Sequence, residues 1–144
     1  IQKRTIREIF TQVSKRSDSV CNFLSTGSVK AWPDTLLVYR HYATLYFVFA
    51  VDHSESQLGM LDLIQVFVEA LDACFKNVCE LDIVFNSETV HHVLDEMIMG
   101  GMVLETSSKN LVSAIRDMKK LEDFSDKMVA KEKAARQTEG GRKF

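Results

Sequence analysis

Apolar residues follow a helical spacing at the start of the chain. They occupy the i, i+3, i+4 and i+7 positions that one face of an amphipathic helix requires. These residues are Ile6, Ile9, Phe10 and Val13. The opposite face is charged and carries Lys3, Arg4, Arg7 and Glu8. The pattern predicts a surface helix over residues 2–14 that packs on one side.

The composition changes after this helix. Residues 17–34 have the composition of a loop and contain the single proline, Pro33. The short apolar run VCNFL within this loop can add a brief strand. The runs TLLVYRHY and TLYFVFAV follow. They are rich in β-branched and aromatic residues and too short for typical helices, so we predict two adjacent strands. The joint at Ala43 and Thr44 has no glycine or asparagine to specify a tight hairpin.

A long helix is predicted from Ser54, which forms a capping box with Gln57, to about Asn77. Its polar residues form one narrow stripe: Asp62, Gln65, Glu69, Asp72 and Lys76. The apolar arc therefore spans roughly 240°, whereas packing on one sheet needs only about 100°. Beside the polar stripe lies an extra apolar shoulder, formed by Leu61, Val68 and Phe75. This shoulder requires a second surface, either another helix of the domain or a partner.

The segment after this helix allows two interpretations. LDIVF alone is compatible with a strand, but apolar residues keep helical spacing through the segment, so we predict helix over most of residues 77–101, with two buried faces. Gly100 and Gly101 are predicted to end it as a C-cap pair. A last helix, capped by Thr106 or Ser107, carries Leu111, Ile115 and Met118. We therefore predict one domain over residues 1–121 and a basic, flexible tail over 122–144.

Composition and charge restrict the classes of function. The 144 residues, 46% hydrophobic and 26% charged, fit one globular domain. The net charge of -2 means that the chain has no overall positive charge to attract the phosphates of a nucleic acid, so we predict no nucleic-acid partner. No apolar run reaches the ~18 residues that cross a bilayer, and no secretory signal is recognisable at the start. The three cysteines are an odd number, which favours free thiols and a reducing compartment, the cytosol.

The sequence shows no pattern of catalytic or metal-binding residues. His91 and His92 are adjacent, so they diverge by about 100° on a helix and cannot chelate one metal. Cys74 and Cys79 lack a second ligand pair, and there is no phosphate-binding glycine loop or nucleophile elbow. We predict no enzyme activity and no cofactor. Acidic residues interrupt the basic run of the tail, which weakens a direct membrane role.

Three long strings identify a related family. YRHYATLYFVFAVD, ESQLGMLDLIQVFVEALDACFKNVCELDIVFN and DEMIMGGMVLETS resemble, in this order, the small sigma subunits of the clathrin-adaptor (AP) complexes. LGMLDLIQVFVEALD and MGGMVLETS are most similar to the sigma subunit of the AP-3 type. The resemblance spans about residues 2–121 and is nearly free of gaps from Tyr39 to Ser107. It implies an α+β, longin-like (SNARE-like) domain, with a five-stranded antiparallel β-sheet sandwiched by α-helices.

The resemblance also carries expectations about the ends of the domain and about its partners. The family fold starts with a β-hairpin before the first helix, so two strands are expected to be missing from this sequence. Sigma subunits join a large adaptin, here of the delta type, with beta and mu subunits in a heterotetramer. Such complexes associate peripherally with Golgi and endosomal membranes on the cytosolic side, and act in vesicle-mediated protein transport.

The family recognises acidic dileucine signals, [D/E]xxxL[L/I], in the cytosolic tails of membrane cargo. The positions of its leucine pocket match Ala43, Leu45, Val68, Asn77, Val78, Leu81 and Ile83. The family's cation for the acidic residue lies in an absent strand, so Arg40 is the candidate here. The alternative for each position is ordinary packing in the core or at a subunit interface. Three other functions stay open: a longin domain of another trafficking protein, a purely structural coat subunit, and a small enzyme of unknown chemistry.

Overall fold

A computed structural model of the chain describes residues 2–17, 19–25, 32 and 34–140, with only the backbone described for 135–140. The helices are α1 (Gln2–Ser14), α2 (Gln57–Phe75), α3 (Glu80–Phe85), α4 (Ser87–Met97) and α5 (Ser108–Gly140). The strands are β1 (Phe23–Ser25), β2 (Leu36–Tyr42), β3 (Leu45–Val51), β4 (Ile98–Met99) and β5 (Met102–Val103). Pro33 of the predicted loop and the end of the predicted tail, 141–144, lie outside the described residues.

The central sheet has the order β1-β2-β3 and is antiparallel throughout. Side chains of a strand alternate between the two faces of its sheet. Leu37 and Tyr39 of β2 accordingly pack with Ile9 and Val13 of α1. The two alternate residues, Leu36 and Val38, belong to the main core, which α2 completes from the other face. Helices thus cover both faces of an antiparallel sheet, as predicted.

The strand predictions are confirmed. The two aromatic runs form β2 and β3, and the brief strand of the VCNFL run is β1. Tyr42 pairs with Leu45, which leaves Ala43 and Thr44 as a two-residue turn. Ala43 adopts a φ of 52°, a left-handed conformation that is uncommon for a residue with a side chain. The sequence could not specify this turn because neither residue is one that usually forms it.

Helix α1 is present as predicted, but its apolar face is only partly covered. Ile9 and Val13 are buried, together with Thr5, whereas Ile6 and Phe10 are exposed. Phe10 contacts the ring of Tyr46 edge to face, with 5.9 Å between ring centroids. The described part of the sheet therefore covers one side of the predicted stripe only.

Helix α2 lies at the centre of the packing and contacts β2, β3, α4 and α5. Its predicted cap was wrong. Ser56, not Ser54, accepts the capping hydrogen bond, from the backbone N–H of Gly59 at 3.3 Å. Ser54 instead bonds to the carboxylate of Asp52. The apolar shoulder of Leu61, Val68 and Phe75 is half-buried against the main core, so the described residues of the domain cover it only in part.

The helical prediction for the LDIVF region is confirmed, but the segment divides at Asn86 into α3 and α4. The prediction of two buried faces is wrong for α3, which has no buried residue, and correct for α4, which buries Val93 and Met97. Gly100 and Gly101 are also not a C-cap. They form the turn of the β4–β5 hairpin with φ values of 58° and 81°, a backbone conformation that favours glycine.

Helix α5 begins at Ser108 and continues to Gly140, well past the predicted end of the pattern. Its first turns bury Leu111, Val112 and Ile115, and the described side chains from Lys119 to Ala134 are exposed. The carboxylate of Glu105 accepts hydrogen bonds at the start of this helix from the backbone N–H groups of Thr106 and Ser107. The division into a domain and a flexible tail stays a prediction.

Candidate functional site

The eight predicted site residues lie on three parts of the fold. Arg40 belongs to β2, Ala43 to the β2–β3 turn and Leu45 to β3. Val68 lies on the flank of α2 that carries the apolar shoulder. The rest belong to the α2–α3 connection and α3: Asn77, Val78, Leu81 and Ile83.

Arg40 is fixed between the hairpin and α2. Its guanidinium donates hydrogen bonds to the hydroxyl of Tyr42 at 3.2 Å and to the side-chain oxygen of Gln65 at 3.3 Å. Gln65 in turn donates to the carboxylate of Glu69 at 3.0 Å. Gln65 and Val68 are three residues apart, so they share one flank of the helix. The half-buried Arg40 therefore lies beside the turn of α2 that carries Val68.

Aromatic packing holds the same part of the hairpin against the helix. The ring of Phe47 contacts Tyr42 at 6.0 Å and Phe67 of α2 at 6.1 Å, both edge to face. Such pairs favour one relative orientation of the rings beyond the area they bury. These aromatic contacts add to the bonds of Arg40 in placing the hairpin end that carries Ala43 and Leu45.

The connection after α2 has an unusual backbone. Lys76 and Asn77 have φ values of 57° and 76°, and asparagine is among the residues that tolerate this conformation best. The carboxylate of Asp72 accepts a hydrogen bond from the backbone N–H of Val78 at 3.0 Å. This bond holds the half-buried Val78 close to α2 and leaves the Asn77 side chain exposed.

The flank of α2 gathers part of the predicted site. Gln65, Val68 and Asp72 lie three and four residues apart on it. Arg40 is bonded to the first of them and Val78 to the last. We call this line of Arg40, Val68 and Val78 the α2 flank site. Among the remaining predicted residues Leu45 and Ile83 are half-buried, and Ala43, Asn77 and Leu81 are exposed.

Three residues that place Arg40 and Val78 were not predicted: Tyr42, Gln65 and Asp72. Strand alternation puts Tyr42 on the same face as Arg40, so the sequence did carry that signal. The other two were assigned only to the polar stripe of α2. Their partners come from β2 and from the chain after α2, so the bonds depend on tertiary packing.

Among the described residues no group of three or more His, Cys, Asp or Glu side chains is arranged to hold a metal ion. The cysteines Cys21, Cys74 and Cys79 are free thiols. Burial raises the pKa of the Cys74 thiol, which disfavours a reactive thiolate. In the same part of the chain, no helix is both long and apolar enough to span a bilayer.

A separate concavity of about 810 Å³ lies between β3, α2, α4 and the β4–β5 hairpin. Its lining includes the apolar residues Met60 and Leu63 and the carboxylates Asp52, Glu55 and Asp95. It contains none of the predicted site residues.

The comparisons with known proteins agree on one family. The family model of the clathrin adaptor complex small chain matches residues 1–122. The AP-3 complex subunit sigma-2 of Homo sapiens is 58% identical over 122 residues, which are 85% of this chain and 63% of the relative. The AP-3 complex subunit sigma of Arabidopsis thaliana is 54% identical over 125 residues, 87% of this chain and 75% of the relative. That of Dictyostelium discoideum is 50% identical over 131 residues, 90% and 77% of the two chains.

A structural comparison gives the same result. A chain in a homology model of the full-length AP-3 complex in a stretched open conformation has a TM-score of 0.66 and 37% sequence identity to this chain. The match covers 88% of this chain and 83% of the other. This chain spans 63% of the length of the human relative, which is less than two thirds of it.

Proposed function

Because this chain belongs to the clathrin adaptor complex small chain family, we propose that it acts as the sigma subunit of an AP-3-type adaptor complex in vesicle-mediated protein transport. Its α+β fold is the longin-like fold of that family. The proposed partners are a delta-type large adaptin, a beta subunit and a mu subunit in a heterotetramer. The complex would associate peripherally with Golgi and endosomal membranes from the cytosol. The proposed role is non-enzymatic.

Within that role, the chain contributes a binding site for acidic dileucine signals in cargo tails. The observation that carries this proposal is the α2 flank site. There the half-buried Val68 lies on α2 between Gln65, which is bonded to Arg40, and Asp72, which is bonded to the half-buried Val78. Two leucine side chains that leave water contribute roughly 1.5 to 3 kcal/mol each, before the cost of ordering the peptide. Each site is therefore weak, and a coated membrane that presents many signals supplies avidity.

The polar parts of the signal have candidate partners as well. Arg40 would pair with the acidic residue of the signal, and the exposed amide of Asn77 would bond to the extended peptide backbone. Ala43 and Leu45 on the hairpin, and Leu81 and Ile83 on α3, would complete the leucine pocket.

The test is a peptide titration of the assembled complex. The chain is co-expressed with the adaptor subunits, and a dileucine peptide is titrated against the wild-type assembly and against Val68→Asp. A buried carboxylate in the pocket should weaken binding at least tenfold, because it must lose its hydration. Val129→Asp, on the exposed part of α5, is the control for an added charge. Equal peptide binding by the wild type and Val68→Asp would remove Val68 from the site.

Before the titration, the yield of assembled complex must be compared between the wild type and each Val68 variant. Val68 is half-buried, so its substitution also affects packing. Val68→Ala, which shortens the side chain without adding charge, should assemble normally and bind the peptide less tightly. If the wild-type assembly binds no dileucine peptide, the proposed cargo site is wrong, and the chain has a purely structural role in the coat.

A further inference from the structure

Helix α3 carries its large apolar side chains on the outside. Leu81, Val84 and Phe85 are 63%, 68% and 79% exposed, and no residue of α3 is buried. Their i, i+3 and i+4 spacing puts them on the same side of the helix. We call these three residues the outer face of α3. Single exposed apolar residues are common on protein surfaces, but three adjacent ones on one helix face are typical of a contact surface.

The helix is too short to be stable by itself, since isolated helices below about 12 residues are marginal in water. The described structure supports it on one side only. Asp82 caps it through the backbone N–H of Cys79 at 3.0 Å, and α3 packs against α4. The fold therefore holds an apolar helix face in place without covering it.

The segment that carries this face is acidic. Residues 77–108 include six carboxylates and neither lysine nor arginine. Glu80 and Asp82 lie in the first turn of α3, and Glu88 lies in the first turn of α4. A surface that is apolar in the middle and acidic at its border complements a surface that is apolar with lysine or arginine around it.

We propose that the outer face of α3 docks onto the large adaptin subunit of the adaptor complex, at an apolar surface bordered by lysine and arginine side chains. This inference rests on the proposed function of the chain as a complex subunit. A cargo signal is a poorer occupant, because the acidic residue of a dileucine signal is repelled by the carboxylates of α3 and α4. The outer face and the α2 flank site thus serve different partners, with Leu81 between them.

The experiment measures assembly with the large adaptin subunit, which is the probe. The full chain is co-expressed with it, and the dissociation constant of the purified pair is measured. Phe85→Ser and Val84→Ser should each weaken the pair at least tenfold, because apolar anchors at an interface carry much of its affinity. Phe124→Ser is the matched control, since Phe124 is 64% exposed on the distant part of α5 and should leave the affinity unchanged.

A second set of variants tests the charge. Glu80→Lys and Glu88→Lys should weaken the pair and slow its association, whereas Lys127→Glu on α5 should not. The unfolding midpoint of every variant is measured as well. Because Val84 and Phe85 are exposed, their substitution should leave the midpoint unchanged, so a loss of affinity is not a loss of folding.

The outcomes separate the two proposals. If the wild-type chain does not bind the large adaptin, both the proposed function and the docking face are wrong. If it binds and the Phe85 variant binds equally well, only the docking face is wrong. The docking face is also wrong if Phe124→Ser weakens the pair as much as Phe85→Ser does. It is wrong as well if the Val84 and Phe85 variants assemble normally and lose only the binding of the peptide.

Discussion

The side-chain oxygen of Gln65 accepts a hydrogen bond from the Arg40 guanidinium at 3.3 Å, which connects β2 to α2. A second bond, to the hydroxyl of Tyr42 at 3.2 Å, holds the guanidinium from within its own strand. An arginine that is held at two points loses less side-chain freedom when it pairs with a ligand. The positive charge is thus preorganised beside Val68, where the proposed peptide site begins.

Substitution of Arg40 should remove the preference for an acidic signal. For Arg40→Gln in the assembled complex we expect about tenfold weaker binding of the acidic dileucine peptide, which corresponds to about 1.4 kcal/mol. The measurement is a titration with the acidic peptide and with a peptide in which alanine replaces the acidic residue. Arg7→Gln, on the exposed side of α1, is the control. If Arg40→Gln weakens both peptides to the same extent, Arg40 does not bind the acidic residue.

Most of the fold could be predicted because its elements have a clear period. The alternation of β2 and β3 and the helical spacing of α1 are local properties, and they hold whatever the chain packs against. The exact helix starts are not local in this way. Gln57 favours Ser54 as the cap by sequence, but the turn that Asp52 makes with Ser54 leaves Ser56 to cap the helix.

The errors occur where tertiary packing decides. Gly100 and Gly101 fit a helix C-cap and a hairpin turn equally well, and the pairing of Ile98 with Val103 selects the hairpin. Leu81 has the spacing of a buried helix face but is exposed, because no described element packs over that side of α3. Burial depends on the neighbours of a helix, so spacing alone does not determine it.

The candidate site could be predicted only in part, because the residues that position it depend on tertiary packing. The resemblance supplied Val68 and Val78, and Arg40 was the nearby candidate for the missing cation. The structure bonds Arg40 and Val78 to Gln65 and Asp72, which lie on either side of Val68 in α2. The resemblance could not supply Gln65 and Asp72, whose roles are to position the others. The binding roles of all eight residues, Arg40, Val68 and Val78 as well as Ala43, Leu45, Asn77, Leu81 and Ile83, stay predictions.

The main core should be sensitive at Ile64, which is fully buried in α2 between the sheet and the other helices. For Ile64→Ala we expect the free energy of unfolding to fall by roughly 2 to 5 kcal/mol, because the substitution removes buried methyl groups and leaves a cavity. Urea unfolding followed by circular dichroism measures it. Leu58→Ala on the same helix, where the side chain is 70% exposed, should change the value by less than about 0.5 kcal/mol. Similar losses for both variants would contradict the burial described for α2.

The β4–β5 hairpin should require glycine in its turn. Gly101→Ala places a Cβ at a φ of 81°, and we expect it to lower the free energy of unfolding by about 1 to 2 kcal/mol. The control is Gly59→Ala in α2, where the new Cβ meets Ser56 at an ordinary 3.5 Å. That change should stabilise the protein by about 0.5 to 1 kcal/mol, since alanine favours the helix. Chemical denaturation of both variants gives the comparison, and stabilisation by both would contradict the turn conformation.

The start of α5 should depend on pH through Glu105. Hydrogen bonds from the Asn110 side chain and from the backbone N–H groups of Ser107 and Thr106 lower the pKa of the Glu105 carboxyl below its ordinary value. A carboxyl whose pKa is lower in the folded state stabilises that state fully above the ordinary pKa. The contribution is lost as the pH falls through the folded-state pKa.

The free energy of unfolding of the wild type should therefore decrease more steeply than that of Glu105→Gln between about pH 7 and about pH 3. Denaturant unfolding at a series of pH values measures this difference. Asn110→Ala removes the largest cause of the lowered pKa and should also make the pH dependence shallower, while Ser113→Ala, at an exposed position of the same helix, should not. An NMR titration in which the Glu105 carboxyl of the wild type titrates at or above its ordinary pKa would contradict the capping role of Glu105.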